Sequence, residues 1–117
     1  MAKKISKYSD GDCQSMMLAV RDTLDVISGK WKLLIIISIN NNNKRFREIE
    51  RSIPKITSKV LAKELKDLEE HKLIKRTVYD DSPVLVEYTV TDYVKSLENL
   101  IFEMYKWGVQ HRKKIIG

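Results

Sequence analysis

Cysteine is nearly absent from these 117 residues: the single Cys13 excludes an internal disulfide framework. With no secretory signal peptide to read, that scarcity points to a reducing, cytoplasmic setting. Histidine is scarce as well. His71 and His111 lie far apart, and no Cys/His group has metal-ligand spacing. Four glycines include no glycine-rich phosphate loop. Nothing in the spacing asks for a nucleophile with its base, so neither an enzyme nor a cofactor is expected. Long apolar runs are missing too. The run at 33–37 falls far below the ~20 residues a membrane-spanning helix needs, so no membrane partner is expected.

What remains is a chain that is 43% hydrophobic and 32% charged, a globular balance, with a length suited to one domain. The formal net charge is +6. It is concentrated. Residues 44–76 hold 11 Lys/Arg against 6 Asp/Glu, a surplus of +5, whereas residues 1–43 give +2 and residues 77–117 give −1. A basic segment inside a helical pattern is the electrostatic footprint of a polyanion reader, although a solvated lysine-rich face has the same composition.

Residues 1–12 are polar and read as a loose N-terminal arm, leaving 13–117 as the folded domain. Met17, Val20, Leu24 and Ile27 recur at helical spacing, and Ser28-Gly29 interrupts them. Residues 31–39 are apolar on nearly every side, which predicts a helix in the middle of the domain. Four asparagines at 40–43 suit a turn, because their side chains compete with helix backbone hydrogen bonds. A short basic helix is predicted at about 45–51, ended by Pro54. A longer one follows, capped by Thr57 or Ser58 and running to about 70.

The pattern changes at Leu73. Residues 74–79 and 85–90 are β-branched or aromatic and roughly alternate, separated by Asp80-Asp81-Ser82-Pro83, which predicts a hairpin. Thr91-Asp92 then opens a long last helix striped by Val94, Leu97, Ile101 and Met104 and widened by Leu100, Tyr105 and Trp107. The expected fold is α+β, mostly α: a winged helix-turn-helix with a two-stranded wing and long terminal helices.

The helix after Pro54 carries most information. Leu61, Leu65 and Leu68 form one stripe, and Lys59, Lys63 and Lys66 repeat that spacing two positions earlier. Two residues correspond to about 200° around the axis, so the ammonium groups point away from the leucines. An ordinary amphipathic surface helix has this pattern too. The context favours nucleic acid: Lys44, Arg45 and Arg47 precede the helix, and Lys75 and Arg76 follow it. Ser58 and Lys59, with Thr57 beside them, could reach base edges, while Lys63 and Lys66 would meet phosphates. The strands offer no aromatic stacking platform, which points to double-stranded DNA rather than RNA.

The first and last helices pose a separate question. Met17, Val20 and Leu24, with Leu97, Leu100, Ile101, Met104 and Trp107, either complete the protomer core or form a two-fold dimer contact. Spacing alone leaves both open.

From about Cys13 to Arg112 the chain resembles the HxlR family of bacterial winged-helix regulators, relatives of the MarR-type repressors. The resemblance lies in Ile27-Ser28-Gly29-Lys30-Trp31, Arg45-Phe46, Glu48-Ile49, Ile53-Pro54 and Ile56-Thr57-Ser58-Lys59-Val60-Leu61. It continues through Leu65, Leu68-Glu69, Leu73-Ile74, Val86-Glu87-Tyr88, Thr91 and Trp107-Gly108. It implies a homodimer joined through the terminal helices and bound to a pseudo-palindromic operator. It also implies that Cys13 matches a thiol that senses oxidants or electrophiles in some members. A thiolate near a helix start is chemically suited to that role, whereas a lone cysteine is otherwise a small hydrophobe. The wing departs from the family pattern: Pro83 is its only proline, Leu85 replaces an arginine, and Asp80 and Asp81 would repel phosphate. The glycine pair of the family is here Ser28-Gly29. The implied readout is therefore led by the helix. The alternative function is a winged-helix protein-interaction module without DNA binding, which a salt titration separates from a DNA reader.

Overall fold

The computed structural model describes residues 10–80 and 82–117; residues 1–9 and Asp81 lie outside the described residues. The elements are α1 (Asp10–Ile27), α2 (Lys32–Asn40), α3 (Phe46–Ser52), α4 (Ser58–Glu70), β1 (Ile74–Tyr79), β2 (Leu85–Val90), a 3₁₀ helix (Asp92–Leu97) and α5 (Glu98–Ile116). This is the expected winged helix-turn-helix order. Most of the arm anticipated at 1–12 falls on residues outside the description, and its last three residues, 10–12, are the start of α1.

α2 is the central post. Ile35, Ile36 and Ile39 are buried, as are Lys32 and Ser38. The asparagine run ends it: Asn41 is the C-cap and Asn42 takes φ 75°, a left-handed conformation that asparagine tolerates better than most residues. Around the post gather Ile49 of α3, Ile53 and Ile56 of the connecting turn, Leu61, Leu65 and Leu68 of α4, and Leu73, Ile74 and Val94. Full burial of each leucine of α4 is worth about 1.5–3 kcal/mol relative to leaving it exposed, so the helix-turn-helix is held mainly by apolar contact. One polar link joins α2 to α3. Ser52 Oγ donates to the Ile49 carbonyl at 2.8 Å, which makes Ser38 the donor in the 2.5 Å Ser38–Ser52 hydroxyl pair.

The wing is antiparallel, with Ile74 opposite Val90 and Tyr79 opposite Leu85. It is tied to the helices at two places. Tyr88 N–H donates to the Lys44 carbonyl at 2.8 Å, just before α3. Thr91 Oγ1 donates to the Lys72 carbonyl at 2.7 Å, just after α4. The wing therefore takes its position from both ends of the helix-turn-helix.

The last helix differs from its expected form. Residues 92–97 wind as a 3₁₀ helix, and the α-helix begins only at Glu98. Ser96 Oγ donates to the Tyr93 carbonyl at 2.6 Å, an i to i−3 bond that suits the tighter winding. Val94 is buried in this turn, while α5 contains no buried residue along its 19 positions. The described chain is accordingly elongated, with extents of 60 × 37 × 22 Å and a Cα radius of gyration of 17.3 Å. A compact domain of this size would have a radius near 13 Å.

Candidate nucleic-acid interface

α4 begins at a real cap. Thr57 is extended, at φ −95° and ψ 157°, and its Oγ1 accepts from Val60 N–H at 3.2 Å. That bond satisfies one of the donors left free at a helix start. Of the two candidate caps, Thr57 performs the role, so its side chain serves the helix before it serves any ligand. Ser58 is engaged too: its hydroxyl donates to Glu50 Oε2 of α3 at 2.5 Å. Both oxygens keep capacity to accept a further bond.

The two stripes of α4 separate as expected. Leu61, Leu65 and Leu68 are buried, and Lys59, Lys63 and Lys66 are exposed. Among the described residues Lys59 and Lys66 make no salt bridge. Lys63 lies 3.6 Å from Asp67 Oδ2, one turn on, with 71% of its side chain exposed. Such exposed i, i+4 pairs contribute about 0.3–0.5 kcal/mol, weak enough for a phosphate to displace.

α3 supplies the next cations. Lys44, Arg45 and Arg47 are all exposed at its start. Glu48 holds that start in shape, accepting Lys44 N–H at 3.0 Å and Arg45 N–H at 3.1 Å on one carboxylate oxygen. The Arg45 and Lys44 backbone bonds keep its carboxyl below the ordinary range, with help from the Arg45 and Arg51 charges. Arg51 and Lys55 are exposed cations beside the turn into α4 that the motif reading passed over; the charge count of the segment contained them.

Lys75 and Arg76 do not form one patch. They are neighbours on β1, so the strand's alternation sends them to opposite faces of the ribbon, each exposed. Asp80 at the tip is exposed.

The residues assigned to a subunit contact divide into two groups. Leu97 and Ile101 are half-buried against the protomer core, and Leu100 is half-buried. Met17, Val20, Leu24, Met104 and Trp107 are exposed, Trp107 by 67%. Leu18, Phe102, Tyr105 and Val109 add to the uncovered apolar surface of α1 and α5. Cys13 is a free, half-buried thiol in the first turn of α1. Among the described residues no group of His, Cys, Asp or Glu could hold a metal ion, and no helix is long and apolar enough to cross a membrane.

Sequence reasoning missed the buried cation. Lys32 Nζ lies 2.5 Å from Glu64 Oε1 and 3.6 Å from Asp67 Oδ2, joining α2 to α4. A single lysine opening an otherwise apolar helix was the available signal.

Known proteins share this arrangement. A model of the HxlR-like helix-turn-helix family matches residues 26–115. The HTH-type transcriptional regulator YtcD of Bacillus subtilis is 38% identical over 100 residues, which cover 86% of this chain and 79% of that protein. Its crystal structure superposes with a TM-score of 0.76 at 39% identity, covering 80% of this chain and 96% of that one. The redox regulator HypR in its reduced form gives a TM-score of 0.77 at 37% identity, covering 83% and 96%. The reduced transcriptional regulator YodB from B. subtilis gives 0.69 at 36% identity, covering 77% and 88%.

Proposed function

This chain belongs to the HxlR-like helix-turn-helix family of transcriptional regulators, and on that premise we propose that it binds double-stranded DNA sequence-specifically as a homodimer. The observation that carries the reading is the split of α4 into a buried leucine face and an exposed lysine face. A helix anchored on one side and cationic on the other is built to enter a major groove. Ser58 and Lys59 lie at its N-terminal end, where base edges come within reach. Lys63 and Lys66 follow along the groove wall and meet phosphates, which set register and affinity. Lys44, Arg45 and Arg47 extend the basic surface towards the flanking backbone, with Lys75 or Arg76 meeting it from the wing.

The dimer follows from the terminal helices. A lone helix gains most of its stability from a packed apolar face, and α5 has no fully buried residue, with Leu100 and Ile101 half-buried near its start. A second copy of the chain covers Met17, Val20, Leu24, Met104 and Trp107 and sets two α4 helices for two half-sites of a pseudo-palindromic operator. Such a role is non-enzymatic and belongs in the cytoplasm. The redox regulators among the similar structures support Cys13 as a thiol that tunes DNA affinity. With one cysteine per chain, any disulfide it forms is with a small thiol or with a second chain.

In vitro selection from random duplexes, followed by a salt titration on the winner, tests the proposal. A dimer making ~6–10 phosphate contacts loses ~10³–10⁵ in affinity between 50 and 200 mM salt. Retention of no duplex at low salt would identify an interaction module instead. Trp107→Glu should yield monomers by light scattering and abolish tight binding; a dimer that survives the charge would remove α5 from the interface.

A further inference from the structure

The leucine stripe of α4 fixes how closely the helix sits on the core, but apolar contact is non-directional and constrains rotation about the helix axis weakly. Two side chains outside the helix, Glu50 and Lys32, supply direction. Taking Leu61 as the origin and ~100° per residue, Ser58 lies ~60° to one side, and Glu64 and Asp67 lie ~60° and ~120° to the other. Ser58 is held by Glu50 of α3. Glu64 and Asp67 are held by Lys32 of α2, at 2.5 and 3.6 Å, with 11% of the Lys32 side chain exposed. The helix is thus gripped on both flanks, between the face that packs and the face that is free.

We propose that Lys32 is a positioning residue for DNA recognition: from inside the domain it sets the rotation of α4, and so decides whether Ser58 and Lys59 meet base edges in register. The inference rests on the DNA-binding reading above. A buried ion pair is a poor source of net stability, because desolvation offsets its Coulomb energy, whereas its geometry selects one arrangement among several of similar packing energy. Lys32 also shares Asp67 with Lys63, at 3.6 Å from each ammonium. The carboxylate that completes the interior grip thereby steadies one of the outward cations.

The test compares a duplex recovered by in vitro selection on the wild type with a random-sequence duplex, reading both dissociation constants, the salt slope and the melting temperature. Lys32→Met/Glu64→Met replaces the pair with apolar side chains, so no single charge is left buried alone. It should fold, with the salt slope unchanged because Lys59, Lys63 and Lys66 remain. The affinity ratio of selected to random duplex should fall about tenfold, the scale of one mismatched base pair. A folded double variant with an undiminished ratio overturns the proposal. Should the double variant fail to fold, Asp67→Asn decides. It leaves the Lys32–Glu64 bond in place and removes a negative charge beside the lysine face, so both duplexes should bind more tightly while their ratio falls. An equal gain on both duplexes overturns the proposal. A wild type that binds no duplex sinks the DNA reading and this inference with it; a discriminating wild type with equally discriminating variants sinks this inference alone.

Discussion

Lys66 offers the sharpest test of the basic face, because among the described residues it is exposed and makes no salt bridge. Its ammonium has nothing to give up before meeting a phosphate. Each phosphate neutralised contributes ~0.9 to the slope of log affinity against log salt, and a dimer carries the residue twice, so Lys66→Ala should flatten the slope by ~1.8. Over the fourfold change from 50 to 200 mM salt, this makes the wild type lose about 12-fold more affinity than the variant. Lys63→Ala should change the slope less, since that ammonium already stands 3.6 Å from Asp67 and must leave a partner to reach DNA. Lys95→Ala, on the 3₁₀ helix and paired with Asp92 at 3.6 Å, should leave the slope unchanged. Fluorescence anisotropy on a labelled duplex at five or six salt concentrations gives all three values. An unaltered slope for Lys66→Ala, or an equal change for Lys95→Ala, would refute the assignment of this face to phosphate contact.

Other expectations follow from individual contacts. Thr57→Ala removes the α4 cap and should cost ~1 kcal/mol, seen as a lower urea midpoint with an unchanged m value; no shift would show that the cap bond contributes nothing. Glu48 has a folded pKa below its ordinary value, so its stabilising effect is complete above about pH 4.3 and is lost as pH falls through the lowered folded value. Urea midpoints of the wild type should therefore drop across that acid window more than those of Glu48→Gln; parallel curves would contradict the assignment. A thiol-directed electrophile should change the DNA affinity of the wild type and spare Cys13→Ser, and equal responses would exclude the thiol. The melting temperature should rise with protein concentration, as expected when folding and association are linked, and a concentration-independent value would argue that the protomer is complete alone.

Much of this architecture was legible in the residue order, and the parts that were not share a physical reason. The strand limits 74–79 and 85–90 agree with the structure because β-branched alternation ends at acidic and proline turn residues. The α4 faces were readable because leucine and lysine keep the same period on opposite sides. Three features escaped. A stripe at i+3 and i+4 fits both helical windings, so the 3₁₀ turn at 92–97 merged with α5. Lys75 and Arg76 were grouped by charge where the strand's period of two separates them. The Lys32 and Glu50 contacts join residues 32 and 8 positions apart, and no local pattern reports a tertiary partner.

Those missed contacts also explain how a small protein can keep its interior and its surface under separate control. Apolar burial supplies most of the stability of the helix-turn-helix, but it is non-directional and contributes no bond that fixes the rotation of α4. On the positioning role proposed above, Lys32 on one flank and Glu50 on the other supply that direction, because each grips a polar atom that lies off the leucine face. Lys59 and Lys66, which make no salt bridge among the described residues, take no part in what holds the helix. α1 and α5 follow a different logic. Leu97 and Ile101 pack on the protomer core, whereas Met17, Val20, Leu24, Met104 and Trp107 stay uncovered, and it is this second group that the proposed dimer would bury. Cys13 lies in the first turn of α1, on the same helix as Met17, Val20 and Leu24, so on the reading proposed above its modification would reach DNA through the dimer contact rather than through α4.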